Sequence, residues 1–318
     1  MSDTLRATPP VLPLLPGPAD REERLGMLLV FLAAVAWSLG GTIARFISVV
    51  DPWTVIFWRS VWAALFLIGF MLLRDGARGT LAMFRAMGLP GVVVGVCFAL
   101  ASTTFVLALG HTTVANILLI YAAAPLFAAL FARLLFGEVI SHSTWVAIAA
   151  VFVGIGVMMS ESLDPDVSPV GGLLALVGPV AFAFAAVLTR RHAHVRMTPA
   201  TMLGTLFAGS FALTQAGSLA VGATDMGLLF AFGAINLGLG LACFATGARL
   251  IPAALAALLA TFETLLGPVW VWLIHAEIPS VRTLIGGAIV FAALILHILL
   301  EFHRQRRRMR PGELPVPH

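Results

Sequence analysis

The feature that most limits what this chain can become is a succession of apolar segments, each near the roughly 20 residues that carry a helix across about 30 Å of hydrocarbon. Ten are read, at about 26–47, 52–73, 88–109, 112–134, 142–160, 170–189, 199–221, 227–249, 252–275 and 279–301. Of the 318 residues 60% are hydrophobic and 11% are charged, where a soluble domain carries about 25% charge. The expected fold class is therefore an all-α integral membrane protein with ten transmembrane helices.

Arginine placement tests that count separately, because short cytoplasmic loops collect basic residues. With ten spans, Arg21, Arg24, Arg74, Arg78, Arg85, Arg133, Arg190, Arg191, Arg196, Arg249 and the cluster Arg304 to Arg310 all fall on one side. The other side holds Asp51, Glu161, Asp164, Asp166, Asp225 and Glu277, with Arg45 and Arg282 as exceptions. Both termini are expected in the cytoplasm, and the host bilayer is expected to be the cell inner membrane. Residues 1–25 are Pro-rich and read as a disordered cytoplasmic tail rather than a cleaved signal. Residues 302–318 read as a basic cytoplasmic tail.

All nineteen basic residues are Arg, so whatever chemistry requires Lys is excluded. A P-loop ATPase needs its Lys on the nucleotide phosphates, and retinal or pyridoxal phosphate needs a Lys Schiff base. No cofactor is expected. Cys97 and Cys243 sit inside apolar runs and read as small buried hydrophobes.

Two stretches, "AAAPLFAALFARLLFGEV" from Ala122 and "ATFETLLGPVWVWLIHAEI" from Ala260, are apolar runs that close on a Glu. A shift of 139 places Glu138 on Glu277, Phe105 on Phe244 and Ala115 on Ala254. A shift of 145 matches Val35–Trp37 with Val180–Phe182 and Arg45 with Arg190, and a shift of 147 puts Pro52 on Pro199. These matches read as two five-helix repeats, 26–160 and 170–301. An odd number of spans forces the copies into opposite orientations, which makes an inverted repeat.

At these landmarks the sequence resembles the drug/metabolite transporter superfamily, specifically its EamA type with two five-helix repeats. "VANILLIYAAAPLFAALFARLLFGEVIS" has the "AP...LFGE" layout typical of the first repeat. "ALAALLATFETLLGPVWVWLIHAEIPS" matches the second, except that Thr264 stands after Glu263 where the family usually has Pro. Arg59 in "DPWTVIFWRS" matches the family's Arg early in the second span. The resemblance implies export of amino acids, drugs or assorted metabolites.

Glu263 is the foremost site candidate, since it falls near the middle of its span and an ionisable group there is a functional hypothesis by default. It would bind a substrate amine or take up a proton, or else be a hydrogen-bonded Glu that ties helices together. Arg59, two turns into its span, needs a substrate carboxylate, Glu263 or helix-end carbonyls as partner, and reads first as structural. Glu138 and Glu277 read as caps of the helices that follow them, with Ser141 and Ser280 nearby. Trp37, Asn116, Tyr121, Phe182 and Asn236 complete the set that would line a central cavity. Trp37 and Phe182 occupy equivalent positions in the first helix of each repeat. Gly91 to Gly95 is a helix-packing step. His192 and His194 lie in a basic loop without a nearby Cys or carboxylate, which is a poor metal site.

The expected function is a secondary transporter that exports a small organic metabolite, amino acids or amphipathic compounds among them, by alternating access. Its partners would be that solute and membrane lipids, with no nucleic acid, and the sequence leaves the oligomeric state open. The alternatives are an integral-membrane enzyme acting on a lipid or other membrane substrate, and a passive channel. The first would need clustered ionisable residues near one face, and the second a ring of repeated charge.

Overall fold

The computed structural model describes residues 18–137, 142–160, 169–192, 194–248, 250–251, 259–260 and 262–308. Glu138, Ser141 and Arg249 lie outside them, as does most of the stretch before Glu263.

The chain runs through α1 (Pro18–Ser38), α2 (Gly40–Phe46), a long α3 (Pro52–Leu109), α4 (Val114–Tyr121), α5 (Ala124–Phe136), α6 (His142–Met159) and α7 (Pro169–Arg191). There follow α8 (Thr198–Gln215), α9 (Ala223–Phe230), a π-helical stretch (Ala231–Leu239), α10 (Gly240–Gly247), α11 (Phe262–His275) and α12 (Val281–Arg308). No strand occurs among the described residues. Five stretches are long and apolar enough to cross a bilayer: Arg21–Phe46, Pro52–Leu109, Val114–Phe136, Val170–Arg191 and Ala223–Gly247.

A straight helix of 58 residues would reach about 87 Å, far more than one bilayer thickness. Gly76 (φ 69°) and Gly88 (φ 53°) divide it. Both adopt left-handed backbone, which glycine enters without the steric cost a Cβ would bring. The piece between them carries Arg78 and Arg85, and the outer pieces cover the segments read at 52–73 and 88–109. Local chemistry sets the helix starts. Asp51 accepts from the Trp53 N–H (3.0 Å) with Pro52 next to it, and Thr113 accepts from the Asn116 N–H (3.2 Å) to start α4.

In lipid there is little hydrophobic drive between helices, so small residues that permit close backbone approach select the partners. A Cβ on Gly204 would lie 2.7 Å from the Gly95 carbonyl, which joins α8 to the last part of α3. One on Gly154 would lie 2.7 Å from the Gly286 carbonyl and joins α6 to α12. The expected packing step at Gly91–Gly95 is therefore engaged through Gly95. The periphery stays apolar, with Leu65, Leu73, Phe211, Leu273 and Leu296 all exposed, as a lipid-facing surface requires.

Three interruptions lie inside the spans. Leu39 separates α1 from α2, Ala122 and Ala123 separate α4 from α5 ahead of Pro125, and the π-helical stretch separates α9 from α10. Interrupted helices leave backbone groups free to be used by side chains or solutes.

Candidate functional site

Arg59 lies two turns into α3 and is only 6% exposed. Its Nη1 donates to Ser102 Oγ (2.7 Å), from a later turn of the same long helix after the chain has reversed. Its Nε has no partner. The guanidinium carbon stands 4.3 Å from the centre of the Phe232 ring and 5.7 Å from that of Phe105. Phe232 reaches this position because Gly233 lets the π-helical stretch press on α3: a Cβ there would collide with the Arg59 carbonyl and lie 2.7 Å from Trp62 Cβ. Trp62, one turn beyond Arg59, also has an unpartnered indole N–H. Among the described residues no carboxylate pairs with Arg59, the ion pairs being Arg45–Glu277, Arg74–Asp75 and Arg196–Asp75.

Tyr121 is the last residue of α4, at the interruption. Its hydroxyl donates to the Ala101 carbonyl (3.1 Å), and its ring meets Phe105 edge-on at 6.1 Å. Phe105 thus touches both Arg59 and Tyr121. Tyr121 is within electrostatic reach of both Arg59 and Glu263. Glu263 lies in the first turn of α11 and is partly exposed. Arg59 and Tyr121 thus meet through Phe105 beside the interruption of α4–α5, with Glu263 within electrostatic reach of Tyr121.

Asn236 and Trp37 make a second group. The Asn236 amide donates to the Ala36 (2.7 Å) and Trp37 (3.1 Å) carbonyls, which the interruption at Leu39 leaves without their usual helical partners. Ser38 Oγ accepts from the Trp270 indole N–H (3.1 Å), tying α11 to the same place. The Trp37 ring packs on Phe244 at 5.4 Å.

The other two expected residues belong elsewhere. Phe182 packs edge-on against Phe98 at 5.8 Å between α7 and α3. Asn116, one turn into α4, donates to Thr112 Oγ1 (3.0 Å) and leaves its own carbonyl oxygen unpartnered.

Glu277 corrects the expectation that it caps the helix following it. Ser280 does that, accepting from the Thr283 N–H (3.1 Å). Glu277 instead accepts from the Val114 N–H (2.7 Å), capping α4, and pairs with Arg45 Nε (2.9 Å). Arg45 also donates to the Leu109 (2.9 Å) and Thr112 (3.2 Å) carbonyls. A negative charge at a helix N-terminus and a cation at the preceding helix C-terminus both match the peptide dipoles. Arg45, an exception to the basic-residue pattern, is thereby neutralised at its own end of the molecule.

Sequence reasoning missed Ser102, Phe105, Phe232, Trp62 and Trp270. Phe105 was visible as a repeat landmark, but a phenylalanine in an apolar run carries no sign that a guanidinium rests on it.

The apolar, many-helix body, with five stretches able to cross a bilayer among the described residues, is that of a multi-pass membrane protein. Residues 24–160 match the model of the EamA-like transporter family. That stretch is an EamA-like domain, and the drug/metabolite transporter resemblance read from the sequence stands. The chain is also similar to the "Pseudopaline exporter CntI" of Pseudomonas aeruginosa, in strains UCBPP-PA14 and PAO1. Each is 26% identical over 278 residues, covering 85% of this chain and 94% of the relative. A crystal structure 18% identical to it matches with a TM-score of 0.62 over 90% of this chain and 98% of the other, a likeness of fold alone.

Proposed function

We propose that this protein is a secondary transporter that exports a small organic metabolite across the inner membrane by alternating access. The observation that carries the reading is the meeting of Arg59 and Tyr121 through Phe105 beside the α4–α5 interruption, with Glu263 within electrostatic reach of Tyr121, because polar groups of this kind at broken helices are where membrane transporters hold solutes. Similarity to exporters supports the direction. Amino acids and amphipathic compounds are the solute classes that match the aromatic surroundings.

Ten spans in two inverted repeats, 26–160 and 170–301 with both termini cytoplasmic, is the architecture that goes with this function. Paired contacts support it. Trp37 on Phe244 joins the first segment to the eighth, and Phe182 on Phe98 joins the sixth to the third. Shifts of 145 and 146 turn one pair into the other. Rocking of one half against the other would then present the central group to each face in turn.

In this mechanism Glu263 holds a substrate amine or carries a proton, with Asn236 and Trp37 bounding the same space. Glu263→Gln preserves volume and hydrogen bonding while removing the charge. A charge-assisted hydrogen bond contributes about 1.5–3 kcal/mol, so counterflow in proteoliposomes should fall roughly tenfold or more, or lose its pH dependence, at normal protein abundance. Wild-type counterflow by this variant from mildly acid to mildly alkaline pH would remove Glu263 from the mechanism. Turnover of a lipid with no counterflow for any solute would replace the transporter with an enzyme.

A further inference from the structure

We propose that Arg59 is the anchor for a carboxylate on the transported solute, so that this chain handles carboxylate-bearing compounds. The inference rests on the transporter reading but names a chemistry that reading leaves open.

A guanidinium stays ionised in proteins and offers five N–H donors. Here one hydrogen bond, to Ser102, is made, Nε has no partner, and no described carboxylate forms an ion pair with the group. The two aromatic contacts do not make up the difference. Cation–π contacts offset only part of the cost of burying an ion. A buried, uncompensated cation calls for an anion, and the described interior does not supply one. Glu263 makes no ion pair with Arg59.

Shape favours carboxylate over phosphate. The Phe232 and Phe105 ring centres lie 4.3 and 5.7 Å from the guanidinium carbon, and the edge that carries Nε is buried with its N–H unpartnered, an edge that an anion reaches once the helices around it part. A planar carboxylate bonds to such an edge with both oxygens in the guanidinium plane. A tetrahedral phosphate projects oxygens out of that plane toward the rings. Trp62, one turn along the helix, likewise keeps a buried indole N–H without a partner. A solute with an ammonium at its other end would place that group toward Glu263.

The test measures thermal unfolding of the purified full chain with benzoate, phenylacetate and leucine, each beside its carboxamide, and with inorganic phosphate. The carboxylates should raise the melting temperature by several degrees in a saturable way, and the amides and phosphate should not. Arg59→Gln should abolish the rise. Arg59→Lys keeps the charge but loses the planar fork, so half-saturation should move up about tenfold. It also serves if the Gln variant fails to fold. A rise equally produced by the amides, a larger rise with phosphate, a rise that survives in Arg59→Gln, or no rise with any carboxylate would each overturn the assignment. Counterflow of the same labelled compounds separates the two claims. Carboxylate-specific stabilisation without counterflow keeps the anion site and removes the transporter, while amides exchanging as fast as carboxylates keeps the transporter and removes the anion site.

Discussion

Asn236 illustrates how one side chain holds an interrupted helix. Its amide replaces the helical donors that the Ala36 and Trp37 carbonyls lose at Leu39. Asn236→Leu is expected to lower unfolding stability by about 1–3 kcal/mol, the cost of leaving buried acceptors unmade. Chemical denaturation in mild detergent, with the midpoint compared at constant slope, checks this. A change within error would mean that the interruption holds itself open. Several residues were legible as candidates from type and position alone: an Asn, a Glu or an Arg in an apolar run announces itself. What each one bonds to was not legible. Glu277 read as a local cap because capping motifs are recognised by nearness in sequence, yet its partners, Val114 and Arg45, are 163 and 232 residues away.

At the scale of elements, the segment between α8 and α9 is held to α3 by acidic hydrogen bonding. Burial works against the Asp51 charge, but bonds from the Thr54 hydroxyl and the Trp53 and Gly217 N–H groups outweigh it and hold the carboxyl below its ordinary value of 3.8. Asp225 accepts from the Ser48 N–H (2.9 Å) and hydroxyl, which ties α9 to the loop before α3. Asp51 favours the charged form in the folded state. Its contribution is complete above 3.8 and is lost as the pH falls through the lower folded value. Limited proteolysis between Gly217 and Thr224 should accelerate only in that acid window, and Asp51→Asn should flatten part of the response. Acceleration at neutral pH instead would contradict the sign. The five stretches long and apolar enough to cross a bilayer were readable beforehand because length and hydropathy alone determine them. The breaks at Gly76 and Gly88 followed from polar composition between spans, whereas the π-helical stretch at Ala231–Leu239 had no distinguishing mark among apolar residues.

For the molecule as a whole, a reporter that is active only outside the cytoplasm, fused after His318, should be silent; activity there would remove the ten-span arrangement. The Arg45–Glu277 pair bears on motion at this scale, since it joins the ends of α2, α3 and α4 to the second residue after α11. Glu277→Gln should speed opening of that end, read as faster labelling of a cysteine placed at Thr112. Unchanged labelling would show that the pair does not restrain it. The helix capped by Glu277 is the one that ends at Tyr121. Eight residues make a rod of about 12 Å, too short to bend appreciably. A pull on its capped end would therefore be carried, nearly undiminished, to Tyr121 at the other end, as along a push-rod.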